Sequence, residues 1–473
     1  MTMLTLALLR ASLPSYFPDR HGVWDRAGAA LSALCASQGV RLVTLPGVPQ
    51  NAAETQAALD HASAEGADFI LCLHGGFTMG DVARTIAASP FRAGFWSVPE
   101  PVRTGDVQLN NFVSLNMSLS IARGVRDLRA RPVQWYHGAP GDPALTTRLT
   151  HTLRALKAAK ALDGARVGVV GGLAMTFYNM EVSTNALRSR LGVEVAHHDI
   201  HELTGRMAAQ DAGRVAAEVA AMAAAAPVRG VSAAQMRLTA ACALSLRDMS
   251  AGYAALAVSD WPALQAEPGM HPGAAFSWVE TADNLPVASE GDVLGAISQI
   301  AALSLSGKTG ALLDLTEPDF GTGRLLVWHG GGGPLHLANG DAAWINHPMI
   351  GRANPDGPRY GAIADYTFAP GPVTLLRIDR DGGAMFAMTG AIVPQDPSGF
   401  DGCRGWLADI AIDGTAASVQ DVTATVMAHG LAHHFVLIPG LHAATLTEFA
   451  SWTGMAPLPR RPYRDHLDVR NFT

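Results

Sequence analysis

Four short segments carry ionisable side chains beside apolar runs that have no packing need for them. In Val287-Ala-Ser-Glu-Gly-Asp-Val-Leu-Gly-Ala296, Glu290 stands between a strand-like approach and a helix expected to run to about residue 306. Ser289 or Asp292 can cap that helix, whose amino end favours a carboxylate or an anionic ligand. In Gly310-Ala-Leu-Leu-Asp-Leu-Thr316, Asp314 lies near the carboxyl end of an apolar strand. Arg324-Leu-Leu-Val-Trp-His329 is a third strand, closed by a glycine run that lets the backbone turn sharply beside His329. His433 and His434 open a fourth, His429-Gly-Leu-Ala-His-His-Phe-Val-Leu-Ile-Pro439; in extended chain they face opposite sides, so only one is expected to face a given site. Each group alone is also a common turn, cap or core residue. Two carboxylates and one or two imidazoles meeting at a sheet edge would be more telling: that donor set, without thiolate, suits Mn²⁺, Mg²⁺ or Co²⁺ better than a closed zinc site. Such a site can polarise a carbonyl while the carboxylates move a proton between adjacent carbons.

The elements that must position these groups follow from hydrophobic periodicity. Residues 1–160 alternate strands (4–9, 41–45, 68–73) with helical patterns (28–38, 55–65, from 114), the β-α-β order of a mostly parallel sheet covered on both faces. The opening apolar run reads as a strand rather than a signal peptide, lacking basic residues ahead of it and a small-residue cleavage site. A second α/β unit begins at Ala165-Arg-Val-Gly-Val-Val-Gly-Gly172, whose glycines lack dinucleotide spacing. It continues through a strand at 193–197 and helices at 207–225 and 233–249. From about residue 352 the texture becomes strand-rich with Gly, Pro and Asp turns, a sandwich or partial barrel. The expected class is therefore α/β: two doubly wound, Rossmann-like parallel-sheet domains followed by a β-rich antiparallel C-terminal domain. The expected boundaries are 1–160, 161–310 carrying Glu290, and 311–473 carrying Asp314, His329 and His434.

Composition narrows the partners. With 34 Lys+Arg against 41 Asp+Glu the net charge is −7, which gives no overall attraction for a nucleic acid backbone. Only 16% of residues are charged, against about 25% in an average soluble protein. Large uncharged faces buried between subunits would account for the deficit. Four scattered cysteines form no CxxC pair and fit a reducing, cytoplasmic setting. No apolar run is long enough to span a membrane.

Taken in order, Ser289-Glu-Gly-Asp-Val-Leu-Gly-Ala296, Leu312-Leu-Asp-Leu315, Val327-Trp-His329 and Ala432-His-His-Phe435 resemble the motifs of the L-fucose isomerase and L-arabinose isomerase group, metal-dependent aldose–ketose isomerases. Gly105-Asp-Val-Gln-Leu-Asn-Asn-Phe-Val-Ser-Leu-Asn-Met117, Gly168-Val-Val-Gly-Gly172 with Met175, and Ser259-Asp-Trp-Pro262 are similar too. The interval from Glu290 to Asp314 is closer to the fucose branch, the double histidine to the arabinose branch. The resemblance implies that Glu290 and Asp314 are both the acid–base pair and metal ligands, with His434 a third ligand and His329 a ligand or substrate contact. It implies sugar contacts at His433 and Asn116, a divalent ion, most simply Mn²⁺, and an ene-diol proton transfer between C1 and C2. It further implies a trimer or hexamer in which the first domain of one subunit roofs its neighbour's site. Trp96, near Pro99-Glu-Pro101, is either a stacking contact for a neighbouring subunit's sugar or, more commonly for its type, a plain core or interface residue. The glycines after His329 and the residues from His74 to Met79 depart from both branches, which leaves the sugar open. Two other outcomes fit the same residues: epimerisation or retro-aldol cleavage through the same chemistry, and non-catalytic sugar binding, for which a proton-transfer pair would be superfluous.

Overall fold

The computed structural model describes residues 3–128, 131–347 and 361–466. It divides into two compact units, one of residues 1–160 with 447–454, the other of 161–446 with 455–473.

The first unit is built on a five-stranded parallel sheet in the spatial order Arg41–Thr44, Thr5–Ala11, Phe69–His74, Arg92–Ser97, Val133–His137. Leu6 pairs with Leu42 on one side and Phe69 on the other. The interior strands are buried on both faces, which is why Phe69–His74 reads as an unbroken apolar run without alternation. Leu9, Ile70, Cys72, Phe95, Val82, Ile86 and Leu115 form its core. A late segment of the chain completes it: Glu448 accepts from the Thr152 hydroxyl at 2.7 Å, and Trp452 meets Phe69 edge to face. No periodicity in the first 160 residues signals that return.

The second unit holds two sheets. A four-stranded parallel sheet runs Glu194–His198, Arg166–Val170, Ala255–Val258, Val287–Ala288. The single helix expected over 207–225 is instead two, Ile200–Ala209 and Ala212–Ala225. Asp211 breaks the run, because its carboxylate accepts from the Arg214 N–H at 2.9 Å and starts a new helix. The β-rich part is a ten-stranded mixed sheet. Within it Ala311–Asp319, Arg324–His329, Cys403–Ile412, Ala384–Val393, Gly371–Asp379 and His434–Pro439 pair antiparallel in that order, and the last pairs back to the first. The ring closes into a six-stranded barrel, which leaves its strands without free edges. These strands begin at residue 311; the texture change placed near residue 352 lies outside the described residues. The core of this unit runs from the parallel sheet through Phe276 and Val279 to Leu313, Val327, Leu407 and Leu437 of the barrel. Among the described residues no helix is long and apolar enough to cross a membrane.

Candidate functional site

Glu290 occupies a corner, not a regular element. The parallel strand Val287–Ala288 ends, one turn of 3-10 helix follows, and Asp292 caps the helix Val293–Ser306 through the Gly295 N–H at 2.8 Å. Of the two caps the sequence offered, the structure uses Asp292. Within the turn Glu290 adopts a left-handed conformation (φ 61°, ψ 14°), which costs a non-glycine residue about 1 kcal/mol or more. Its peptide is pinned on both sides: the N–H donates to Asp260 Oδ1 at 2.6 Å, and the carbonyl accepts from Ala174 N–H at 2.9 Å. Gly291 follows at φ +70°, and a Cβ there would lie 2.1 Å from the Gly172 carbonyl oxygen. Only glycine fits that approach. Gly172, the last glycine of Gly168-Val-Val-Gly-Gly172, thus packs against the Glu290 corner.

The barrel supplies the facing groups. Asp314 and His434 are directly opposite in antiparallel register, so their side chains share a face. His434 Nε2 lies 3.5 Å from Glu290 Oε2 and 3.8 Å from Asp314 Oδ1, while its Nδ1 lies 3.0 Å from Asp292 Oδ2. Asp292 is in turn held by both Nη atoms of Arg377, inside the protein: the pair is 0–1% exposed. His433 Nε2 meets the same Glu290 oxygen at 3.1 Å, with Asn179 against its Nδ1 at 3.1 Å and Phe177 beside its ring. The expectation that only one of the two histidines would face the site is therefore corrected. His433 sits in a bend before the strand begins at His434, so strand alternation does not apply to it.

His329 ends its strand 5.5 Å, ring to ring, from His434, with Nε2 engaged by the Ser289 hydroxyl at 3.1 Å. Its Nδ1, His434 Nε2 and Asp314 Oδ1 are buried and have no hydrogen-bond partner among the described residues. The donor atoms of Glu290, His433 and His434 all lie within 4.8 Å of one another, a group able to hold a metal ion. Of the three unpartnered atoms, His434 Nε2 and Asp314 Oδ1 lie 3.8 Å apart, and each can give a lone pair to a hard divalent cation. The Asp292 carboxylate behind His434 is the kind of support that fixes which ring nitrogen faces an ion.

No family model matches this chain. Two curated proteins, the sulfoquinovose isomerases of Priestia aryabhattai and Priestia megaterium (strain ATCC 12872 / QMB1551), are each 26% identical to it over 354 residues. The match spans 73% of this chain and 74% of theirs.

The electrostatics of the cluster favour a cation. Burial opposes charge on Glu290, but the His433 hydrogen bond and the neighbouring His434 and His329 bring its pKa below the usual value. Burial likewise opposes charge on Asp292, yet Arg377 and His434 hold its carboxyl well below the carboxylate range. Burial lowers His434, and is outweighed by the Asp292 hydrogen bond and the Asp314 and Glu290 charges, so its pKa is raised. Positive charge at His434 Nε2, whether proton or metal ion, is what these surroundings stabilise. Burial lowers His329 and keeps it neutral. Asp260, buried behind Glu290, is pushed up to about 7 by desolvation, offset in part by the Glu290 N–H it accepts.

Of the expected site residues, Glu290, Asp314, His434, His329 and His433 converge in the second unit. Trp96 and Asn116 belong to the first. Trp96 is a core residue, 1% exposed, its indole N–H donating to the Gly138 carbonyl at 3.0 Å; it presents no face for stacking on a sugar. Asn116 is exposed on the helix Asn111–Val125. Sequence reasoning missed Asp260, Asn179 and Arg377. A cation inside the otherwise buried strand run Val373-Thr-Leu-Leu-Arg-Ile378 was the available sign of the last. Asp260 lay in a turn noted only for its resemblance.

Proposed function

We propose that this protein is a divalent-metal-dependent aldose–ketose isomerase, with Mn²⁺ the preferred ion and a free or modified sugar as substrate. The observation that carries the reading is the approach of two carboxylates, Glu290 and Asp314, from different sheets to one unpartnered nitrogen, His434 Nε2. Glu290, Asp314 and His434, joined by His433 or His329, would hold the ion. When bound, it supplies positive charge to the carbonyl and hydroxyl oxygens of the sugar, where negative charge develops. One carboxylate takes the proton from the carbon beside the carbonyl; the other assists proton transfer between the two oxygens. The pinned peptide fixes the backbone of Glu290 and the His433 contact at 3.1 Å holds its carboxylate, which is the preorganisation such a transfer needs. His433, braced by Asn179, is placed to orient Glu290 or a sugar hydroxyl.

The relatives' activity toward sulfoquinovose supports a sugar isomerase and makes that sulfonated aldose the first substrate to try. The same reading divides the chain into domains 1–160, 161–310 and 311–473, and makes it a cytoplasmic homo-oligomer, a trimer or hexamer. Its four buried, unpaired cysteines suit a reducing compartment.

The test is a substrate panel, sulfoquinovose with neutral aldohexoses, 6-deoxyhexoses and pentoses, followed by NMR in D₂O with added Mn²⁺. Conversion of one aldose to its ketose, with solvent deuterium at the carbon beside the carbonyl, is expected. Deuterium in epimers or cleavage products without ketose would replace isomerisation by epimerase or aldolase chemistry. Binding without any turnover would leave a sugar-binding protein.

A further inference from the structure

The first unit contains a concave site that the isomerase reading does not use. Where the strands Phe69–His74, Arg92–Ser97 and Val133–His137 begin, an open cavity of about 460 Å³ is lined by Arg92, Arg126, Arg131, Asp68, Phe91 and Trp452, among others. This is the amino-terminal edge of the parallel sheet, opposite the carboxyl edge where open α/β folds commonly build their crevices. Arg126 is only 7% exposed. Its Nη2 donates to the Phe91 carbonyl at 2.6 Å, but Nε and Nη1 are buried without a partner among the described residues. Arg131 spends one N–H on the Ser89 carbonyl; burial, and then the charge of Arg131, work against charge on Arg126 and lower its pKa. Asp68, the one carboxylate lining the cavity among the described residues, is already engaged by the Thr5 N–H at 2.8 Å and by Lys160 at 2.6 Å.

Two carbonyls following the helix Gly80–Ala88 explain why arginines gather here, since a helix carboxyl end attracts cations. They do not explain the surplus. A buried guanidinium with two of three nitrogens unpaired, facing a second guanidinium, is costly unless an acceptor of opposite charge completes it. A phosphate-type oxyanion supplies both charge and acceptors, and guanidinium groups bind it through paired N–H bonds. The cavity is also larger than an inorganic ion needs, and the Phe91 and Trp452 rings give it an apolar wall suited to a small organic body.

We infer that this cavity binds a small metabolite bearing a phosphate-type oxyanion, with Arg126 and Arg131 as the anion-holding residues. The site lies wholly within the first unit, and the proposal stands whether or not the chain isomerises sugars.

The experiment is calorimetric titration of the whole protein, in phosphate-free buffer, with inorganic phosphate and separately with glucose 6-phosphate. One equivalent per chain should bind, more weakly as salt rises from about 0.05 to about 0.2 M. Tighter binding of glucose 6-phosphate would place the organic body against the aromatic wall; equal binding would make the oxyanion alone the ligand. R131Q, at an exposed side chain, should weaken binding at least about tenfold. R126Q should abolish it; should that buried substitution prevent folding, R131Q and R126K, which retains the charge but not the fork, carry the test. Absence of saturable binding of either compound up to about 10 mM, or affinity unchanged in R131Q, overturns the proposal.

Discussion

Arg377 offers the sharpest separation of stability from site chemistry. Its guanidinium and the Asp292 carboxylate are 1% and 0% exposed, and the carboxylate also takes the Gly295 N–H and His434 Nδ1. Arg377→Met keeps most of the volume but leaves Asp292 buried without its counter-charge, a change that costs about 3–5 kcal/mol. The double variant Asp292→Leu/Arg377→Met removes the stranded charge, so most of that loss should return, less about 1 kcal/mol for the lost helix cap. Metal affinity should not return with it, because His434 Nδ1 has then lost its acceptor; a fall of about 10–100-fold is expected. Urea unfolding followed by tryptophan fluorescence reads the first quantity, and titration of metal-depleted protein with MnCl₂ the second. An Arg377→Met protein as stable as the parent, or a double variant that keeps its Mn²⁺ affinity, would refute the claim that this pair orients His434.

Gly291→Ala should displace the Glu290 corner, since the added methyl would meet the Gly172 carbonyl at 2.1 Å in a backbone conformation with φ +70°; a loss of about 2 kcal/mol or more in stability and a drop in kcat exceeding any change in KM would show it. His74 is buried, bonded to Thr78 and Ser118, and desolvation lowers its pKa from 6.5 to about 3. The unfolded chain therefore binds this proton first: the contribution is fully favourable above about pH 6.5 and is lost as pH falls toward 3, by at most about 5 kcal/mol. His74→Gln should flatten that acid limb in stability measurements between pH 6.5 and 4, and an unchanged slope would contradict the assignment. Light scattering should give a mass several times that of one chain, because Phe112, Val113, Val107 and Val102 of the first unit are exposed; a monodisperse monomer would contradict the oligomeric reading.

The fold class was legible because parallel strands buried on both faces, such as Phe69–His74, announce themselves as apolar runs. Barrel closure was not, since it depends on which distant strands pair, and Gly371–Asp379 meeting His434–Pro439 leaves no local trace. At the site, residue type and strand-end position pointed to Glu290, Asp314, His329 and the two histidines. Residue type alone did not separate the core Trp96 from a sugar contact, nor show the left-handed Glu290, whose conformation is imposed by Asp260 and Ala174 from remote loops. His433 likewise sits in a bend outside the strand, with its ring against Asn179 and Phe177, so strand alternation does not predict where that ring lies.

On the proposed mechanism, a divalent ion at Glu290, Asp314 and His434 enables proton transfer on a sugar. Metal-depleted protein should be mixed with its best aldose in D₂O, before and after one equivalent of Mn²⁺, and product deuterium followed by NMR. Ketose carrying one deuteron should appear only after Mn²⁺ is restored, and Glu290→Gln should lower the rate by about 10³-fold or more at saturating metal. Equal turnover in the metal-depleted protein, or a Glu290→Gln protein as fast as the parent, would contradict it.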